Sequence, residues 1–305
     1  MNPIPNTDLS VSPITLGTMT YGNPVAFDDA VDLTRYALAQ GINMIDTANM
    51  YEGYDRVPGS AGGVAERIIG RAIQGLDRSG VLIATKLGMK VGDSPEDAGT
   101  SSAAVHTQLS RSLERLGTDY VDLYYLHCPD PSVPLEETLR AIDEELRRGR
   151  IRYYGVSNYS AGQLAALLAA ADQNGLPRPV ACQPPLSLLK QEALEELLPL
   201  CRRENIAVIP YQIYQGGLLT GKYRRGEAMP AGSRGAEMPG WLMARDDALY
   251  DKLEEIQRQA DARGMSMSHY ALRWALEQPT VVSAIVGVKR REQIDSALAA
   301  LAALA

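Results

Sequence analysis

The sequence predicts an α/β fold with parallel strands and outer helices, a (β/α)8 (TIM) barrel. Three observations carry this. Short apolar strand candidates alternate with helix-sized amphipathic stretches, which means parallel strands joined by right-handed crossovers. The strand candidates number eight, enough to close a barrel. The turn after the first, Gly17-Thr18-Met19-Thr20-Tyr21-Gly22, lacks the glycine-rich phosphate turn that a doubly wound open sheet would carry.

In chain order the strands are expected near 14–18, 42–46, 81–85, 121–126, 152–157, 180–183, 206–210 and 283–287. Helices are expected near 28–40, 63–75, 102–116, 136–148, 160–172, 190–204, 268–277 and 290–304. No boundary or further repeat interrupts the alternation, so residues 1–305 read as one barrel domain, a length such barrels reach. Two connections, 88–101 and 212–245, are too long for plain loops, and in a barrel both lie on the C-terminal rim.

Apolar residues make up 45% of the chain, enough for a full core, and the formal net charge is −7. That balance argues against a nucleic-acid or anionic-membrane partner, but leaves room for an anionic cofactor held by local positive charge. Cys128, Cys182 and Cys201 form neither a disulfide framework nor a metal-binding spacing, which fits a reducing cytoplasm; no metal ligand is assigned. The N-terminus has no signal-peptide pattern, and no apolar run reaches the ~18 residues a membrane span needs. Monomer and homo-oligomer both stay open.

Four residues stand out at the strand ends. Asp46 ends the second strand, Lys86 the third, His127 follows the fourth, and Tyr51 lies one loop after Asp46. Each has a plain reading alone: a helix cap, a solvated lysine, a hydrogen-bonded core histidine, a packing ring. Together they form a coherent acid–base set. A free tyrosine, with a pKa near 10, is a poor acid at neutral pH. An adjacent ammonium favours its phenolate, and Asp46 would hold that ammonium in place. His127 would orient a carbonyl oxygen or relay a proton. The set protonates an oxyanion, which suits carbonyl reduction if a hydride is supplied.

Asp46-Thr47-Ala48-x-x-Tyr51, Thr85-Lys86, Leu123-Tyr124-x-Leu126-His127 and Gly155-Val156-Ser157-Asn158 resemble the aldo-keto reductase family. The stretch from Leu116 to Tyr124 resembles its fourth-strand signature. Gly217-Leu218-Leu219-Thr220-Gly221-Lys222-Tyr223 is similar to its bacterial and potassium-channel β-subunit branches. The likeness runs over residues 9 to 304. It implies a barrel that binds NADPH, or less readily NADH, in extended form. It implies transfer of the 4-pro-R hydride to an aldehyde or ketone, with Tyr51 donating the proton and Asp46, Lys86 and His127 completing the catalytic four.

The resemblance assigns Ser157, Asn158 and Gln183 to the nicotinamide carboxamide and Tyr211 to stacking on its ring. It extends the cofactor site over Thr18, Met19, Asp46, Gln212, Leu218, Gly221, Lys222, Gly287, Lys289, Arg290 and Gln293. The plain reading of Ser157-Asn158 is a helix cap. Lys289-Arg290-Arg291 are unfavourable at a helix N-terminus unless a phosphate sits there, which favours NADPH; a solvated basic face is the alternative. Departures from the family pattern are Glu52 after Tyr51, Gln212 after Tyr211, and Ser296-Ala297 in the last helix.

The expected function is NADPH-dependent reduction of a small carbonyl compound. Glu52, Tyr54, Asp55 and Arg56 could meet a polar, sugar-like substrate, or form a solvated lid. Two other functions share the pattern: a nicotinamide-sensing regulatory protein, and a sugar isomerase or lyase that works without redox change.

Overall fold

The computed structural model describes residues 1–302; positions 303 and 304 of the expected last helix lie outside them. Eight parallel strands form one sheet: β1 (Ile14–Gly17), β2 (Met44–Asp46), β3 (Leu82–Leu87), β4 (Val121–Leu126), β5 (Ile151–Ser157), β6 (Ala181–Gln183), β7 (Ala207–Val208) and β8 (Ala284–Gly287). Neighbours in sequence are neighbours in the sheet, and β8 pairs with β1. The ring closes where Val282 N donates to Val208 O and Ile285 N to Pro210 O, at 3.0 and 2.9 Å. A short antiparallel pair, Asn2–Pro3 with Ser10–Val11, packs Ile4, Leu9 and Val11 into the barrel interior.

The helices are α1 (Phe27–Ala39), α2 (Val64–Ile73), α3 (Ser102–Leu116), α4 (Leu135–Arg147), α5 (Ala161–Asn174), α6 (Leu197–Arg203), α7 (Arg234–Glu237), α8 (Asp247–Asp261), α9 (Met267–Leu276) and α10 (Arg291–Ala302). Local chemistry sets their ends. Ser101 caps α3 by accepting from Ala104 N, and Gly117 ends it in the left-handed region at φ 63°. Ser160 and Gln163 form a reciprocal cap on α5.

Strands buried on both faces read as continuous apolar runs, and β3 and β4 are buried at every position. The side chains still alternate. Met44, Leu82, Ala84, Leu123, Tyr125, Ala181, Ala207 and Ile209 fill the barrel interior. Ile45, Ile83, Tyr124, Leu126, Val156, Cys182 and Val208 face the helices. This period of two fixes the rim. Asp46, Lys86, His127, Gln183 and Tyr211 continue the inward phase of their strands beyond the last apolar layer.

Three expectations need correction. Lys86 does not end its strand: β3 runs to Leu87, because the lysine is buried rather than solvated. The region 212–245 is not an open loop. It contains a 3-10 turn at Gln215–Thr220 and α7, and Leu218, Leu219 and Tyr223 pack on Leu253 of α8 and Met267 of α9. Helix α8 itself was not expected. Elsewhere, the expected helix over 190–204 is a 3-10 turn at Glu192–Leu194 followed by α6.

Candidate active site

The four strand-end residues meet at the C-terminal mouth. Lys86 is fully buried, and its ammonium donates to Asp46 Oδ1 at 2.5 Å, to Thr47 O at 2.7 Å and to the Tyr51 hydroxyl at 3.3 Å. Asp46 Oδ2 accepts from Gln183 Nε2 at 2.7 Å, so both carboxylate oxygens are engaged. Thr18 is bound to the Asp46 carbonyl through its own N–H and hydroxyl, at 3.1 and 2.9 Å. The Tyr51 ring lies 4.8 Å from the ammonium and meets the His127 ring edge-on at 6.1 Å.

The electrostatics follow from burial. Burial alone would pull the Lys86 ammonium down, but Asp46 and Tyr51 together lift its pKa above the ordinary value. Burial pushes the Asp46 carboxyl up against the pull of Lys86 and Gln183. Tyr51 corrects the sequence expectation. Lys86 does favour its phenolate, but desolvation outweighs that and raises the phenol above its usual value. Tyr51 is thus protonated at neutral pH. Burial, reinforced by Lys86, pushes His127 down to about 3, so the imidazole is neutral. Its Nδ1 is buried with no hydrogen-bond partner among the described residues, and so is Thr47 Oγ1.

A second group adjoins the first. Ser157 Oγ donates to Gln183 O at 2.8 Å, Asn158 Nδ2 to His127 O at 2.8 Å, and the Tyr211 hydroxyl to Asn158 Oδ1 at 2.6 Å. Two amides, a hydroxyl and a ring on one wall fit a flat aromatic ring carrying a carboxamide. Met19 is half-buried after Thr18, and Gln212 is exposed with φ 62°. Gln212 lines a cavity of about 350 Å³ with Arg234 and Trp241.

The remaining expected cofactor residues lie at or after the ends of β7 and β8. Leu218 turns its side chain into the packing against α8, while Gly221 bends the chain at φ 76° into half-buried Lys222. Gly287 ends β8 beside Gly17, and Gln293 Oε1 accepts from Lys289 N at 2.6 Å. The run Lys289-Arg290-Arg291 is less bare than its sequence implies. Lys289 pairs with Glu237 and donates to Gly232 O at 3.1 Å, and Arg291 lies over the Tyr36 ring. Among the described residues Arg290 reaches only exposed Glu292, at 3.8 Å. One cation escaped the sequence reading: Arg234 of α7 approaches Tyr54 and Trp241. Burial lowers the Lys222 pKa, and Lys289, Arg234 and Arg290 lower it further. Lys222 and Arg234 have no carboxylate partner among the described residues. Uncompensated cations at close quarters fit a phosphate-bearing ligand.

Of the loop residues expected to meet a substrate, three are engaged within the protein, and Asp55 is one of them, accepting from Asn23 Nδ2 at 2.7 Å. Glu52, Arg56 and Ser60 bond to one another, and Arg56 also reaches Lys90 O. Ser296 bonds His269, and Ala297 lies in the core. Among the described residues no helix is long and apolar enough to cross a membrane, and no group of three or more His, Cys, Asp or Glu could hold a metal.

The structure is thus a (β/α)8 barrel with a buried Lys–Asp pair, a tyrosine and a neutral histidine at its mouth. Comparison with known proteins gives the family. The Aldo/keto reductase family model matches residues 13–304, and the chain belongs to that family. It is 33% identical over 301 residues to a probable voltage-gated potassium channel subunit beta of Arabidopsis thaliana, covering 96% of this chain and 88% of that one. It is 32% identical over 299 residues to the aldo-keto reductase YhdN of Bacillus subtilis, covering 96% and 86%. Among solved structures it matches the glycerol dehydrogenase of Gluconobacter oxydans with a TM-score of 0.79 at 29% identity, covering 97% of this chain and 88% of that one.

Proposed function

We propose that the chain, acting as one catalytic unit, is an NADPH-dependent reductase of aldehydes or ketones. The observation that carries this is the hydrogen-bonded line Gln183–Asp46–Lys86–Tyr51 beside the neutral imidazole of His127. When bound, the reduced nicotinamide supplies a hydride to the carbonyl carbon. Tyr51 gives its phenolic proton to the carbonyl oxygen. Lys86 stabilises the phenolate left behind, so the high resting pKa of Tyr51 falls only as charge develops. Asp46 and the Thr47 carbonyl hold the ammonium, and Gln183 holds Asp46. Neutral His127 orients the carbonyl oxygen through a hydrogen bond without competing as an acid.

Ser157, Asn158 and Gln183 would hold the carboxamide, and Tyr211 would stack on the ring. Lys222, Arg234, Lys289 and Arg290 would take the phosphates, with Thr18, Met19, Gln212, Leu218, Gly221, Gly287 and Gln293 shaping the path between. The cation cluster supports NADPH over NADH, because the 2′-phosphate is the extra anion.

Likeness to a probable potassium channel subunit brings a second reading, a nicotinamide-sensing binding protein. The complete acid–base set favours turnover. The test is a fluorescence titration with NADPH and NADH, followed by assay with simple aldehydes. Tight, NADPH-selective binding with turnover is expected. Binding without turnover of any carbonyl supports the sensor, and no binding of either dinucleotide sinks both.

A further inference from the structure

A cavity of about 500 Å³ opens between the connections that follow β3 and β4. It lies at the same C-terminal end of the strands: Gly88, two residues after Lys86, and Cys128, next to His127, line it together with Thr100, Ser101, Asp130 and Ser132. Asp130 is the one charged residue on its wall. Burial and Asp130 push the Cys128 thiol up, so it adds no charge.

The carboxylate is fixed in place. Asp130 Oδ2 accepts from Thr100 N at 2.9 Å, and Oδ1 accepts from Ser132 N and Oγ at 3.0 and 2.5 Å. Gly99, at φ 70°, leaves room for it, since a Cβ there would collide with Oδ2. Burial opposes the charge, but the Ser132 hydroxyl and the two backbone donors outweigh it and hold the pKa below the usual carboxylate range.

The N-terminus of α3 borders the cavity and would ordinarily draw an anion. Three of its donors are already taken: Thr100 N by Asp130, Ser102 N by Glu137 at 2.9 Å, and Ala104 N by Ser101 at 3.3 Å. An anionic ligand would therefore meet a fixed negative charge and a helix end whose donors are largely engaged. A ligand carrying hydroxyl or ammonium groups would meet acceptors on Asp130 and Ser132.

Resting on the reductase reading, we propose that this cavity holds the body of the carbonyl substrate and that Asp130 makes it selective for hydroxylated or cationic compounds over anionic ones. Sugar phosphates and keto acids are excluded on this account, and neutral hydroxyaldehydes and amino-carbonyl compounds are admitted.

The test uses three aldehydes of one shape: para-carboxybenzaldehyde, para-(hydroxymethyl)benzaldehyde and para-(trimethylammonio)benzaldehyde. Turnover with NADPH gives their KM values, and calorimetry gives Kd for the three matching benzyl alcohols on the full-length protein saturated with NADP+. The carboxylate member should be weakest by both measures. Asp130→Asn should narrow its deficit against the hydroxymethyl compound by roughly three- to thirtyfold, the range for one unit charge several ångströms away at effective dielectrics between water and protein surface. Ser132→Lys adds a cation at the cavity without touching Asp46, Tyr51, Lys86 or His127, and should reverse the order even if Asp130→Asn folds poorly. Preference for the carboxylate in the wild type, absence of alcohol binding, or an order unmoved by Ser132→Lys overturns the proposal. The charge order in Kd without turnover of any aldehyde would leave the subsite standing and remove the reductase reading instead.

Discussion

Two buried clusters of opposite charges sit at the two ends of the same strands. At the N-terminal end, Asp122 of β4 accepts from Arg78 at 2.9 Å, Arg152 at 2.7 Å and Ile83 N at 2.9 Å. Arg152 continues to Asp8, and Arg78 to the carbonyl of Tyr120. At the C-terminal end, Asp46 and Lys86 are as well partnered, but their surroundings are not: His127 Nδ1 and Thr47 Oγ1 have no partner among the described residues, and Tyr51 lies half-open above them. Burying a charge is costly, and partners offset the cost. Where every partner is internal, the cluster is a structural tie. Where the hydroxyl of a half-exposed tyrosine rests on the pair, as that of Tyr51 does on Lys86, the cluster is open to a partner from outside.

That contrast breaks most sharply on Lys86→Met against Asp122→Asn. Lys86→Met strands a buried carboxylate and should cost about 3–5 kcal/mol of stability together with about a thousandfold of carbonyl reduction. Asp122→Asn should cost about 1–3 kcal/mol, since its arginines are partly exposed and can rehydrate, and leave kcat/KM within about twofold. Denaturant unfolding and steady-state assays separate the two. Equal activity losses would mean that the N-terminal tie also shapes the mouth. Tyr51→Phe sharpens the point within the mouth. It removes only the proton donor, so reduction should fall about a hundredfold or more, with stability within about 0.5 kcal/mol and dinucleotide binding unchanged.

The fold was legible because burial on both faces and helical spacing leave strong marks in a sequence, and the strands fell within a few residues of their expected places. The rim was legible for the same reason: once Met44, Ala84 and Tyr125 are interior, a period of two carries Asp46, Lys86 and His127 inward as well. What escaped depends on contacts across the chain. Lys86 looked like a strand end because a charge breaks an apolar run, whereas Asp46 lets β3 continue past it. The Tyr51 pKa was expected to fall because the sequence shows the ammonium and hides the desolvation. Glu52 and Arg56 looked available to a substrate until the fold paired them through Ser60. Arg234 and Asp130 carry no local signal; only closure of the mouth brings them to it.

His127 adds a pH dependence to the comparison. Its folded pKa is depressed to about 3 against about 6.5 in an unfolded chain. Between those values the unfolded state binds the extra proton, so the stability held above pH 6.5 is lost as pH falls toward 3, by at most about 1.4 kcal/mol per pH unit. His127→Gln should flatten this acid limb in unfolding titrations from pH 7 to 4. The Asp122 cluster contains no histidine, so Asp122→Asn should leave that limb in place. An unchanged slope in His127→Gln would mean that the imidazole is solvated, and the neutral histidine at the mouth would lose its basis.

The smallest effect concerns the cations. Lys222 sits among Arg234, Lys289 and Arg290 with its charge disfavoured, a local cost that a bound phosphate would relieve. Lys222→Ala should weaken NADPH binding about tenfold and NADH binding less, as expected when one charge-assisted contact to the 2′-phosphate is lost. Arg290→Ala, at a more exposed position, should cost about threefold. Both losses should shrink in high salt, since exposed charges are screened over about 8–10 Å at ordinary ionic strength. Because removing a cation also relieves repulsion, Lys222→Ala should be neutral or slightly stabilising without cofactor. Loss of stability in the cofactor-free protein, with equal loss of NADPH and NADH affinity, would make Lys222 a structural tie like Arg78, held by Tyr223 and the Gly217 turn rather than kept for a phosphate.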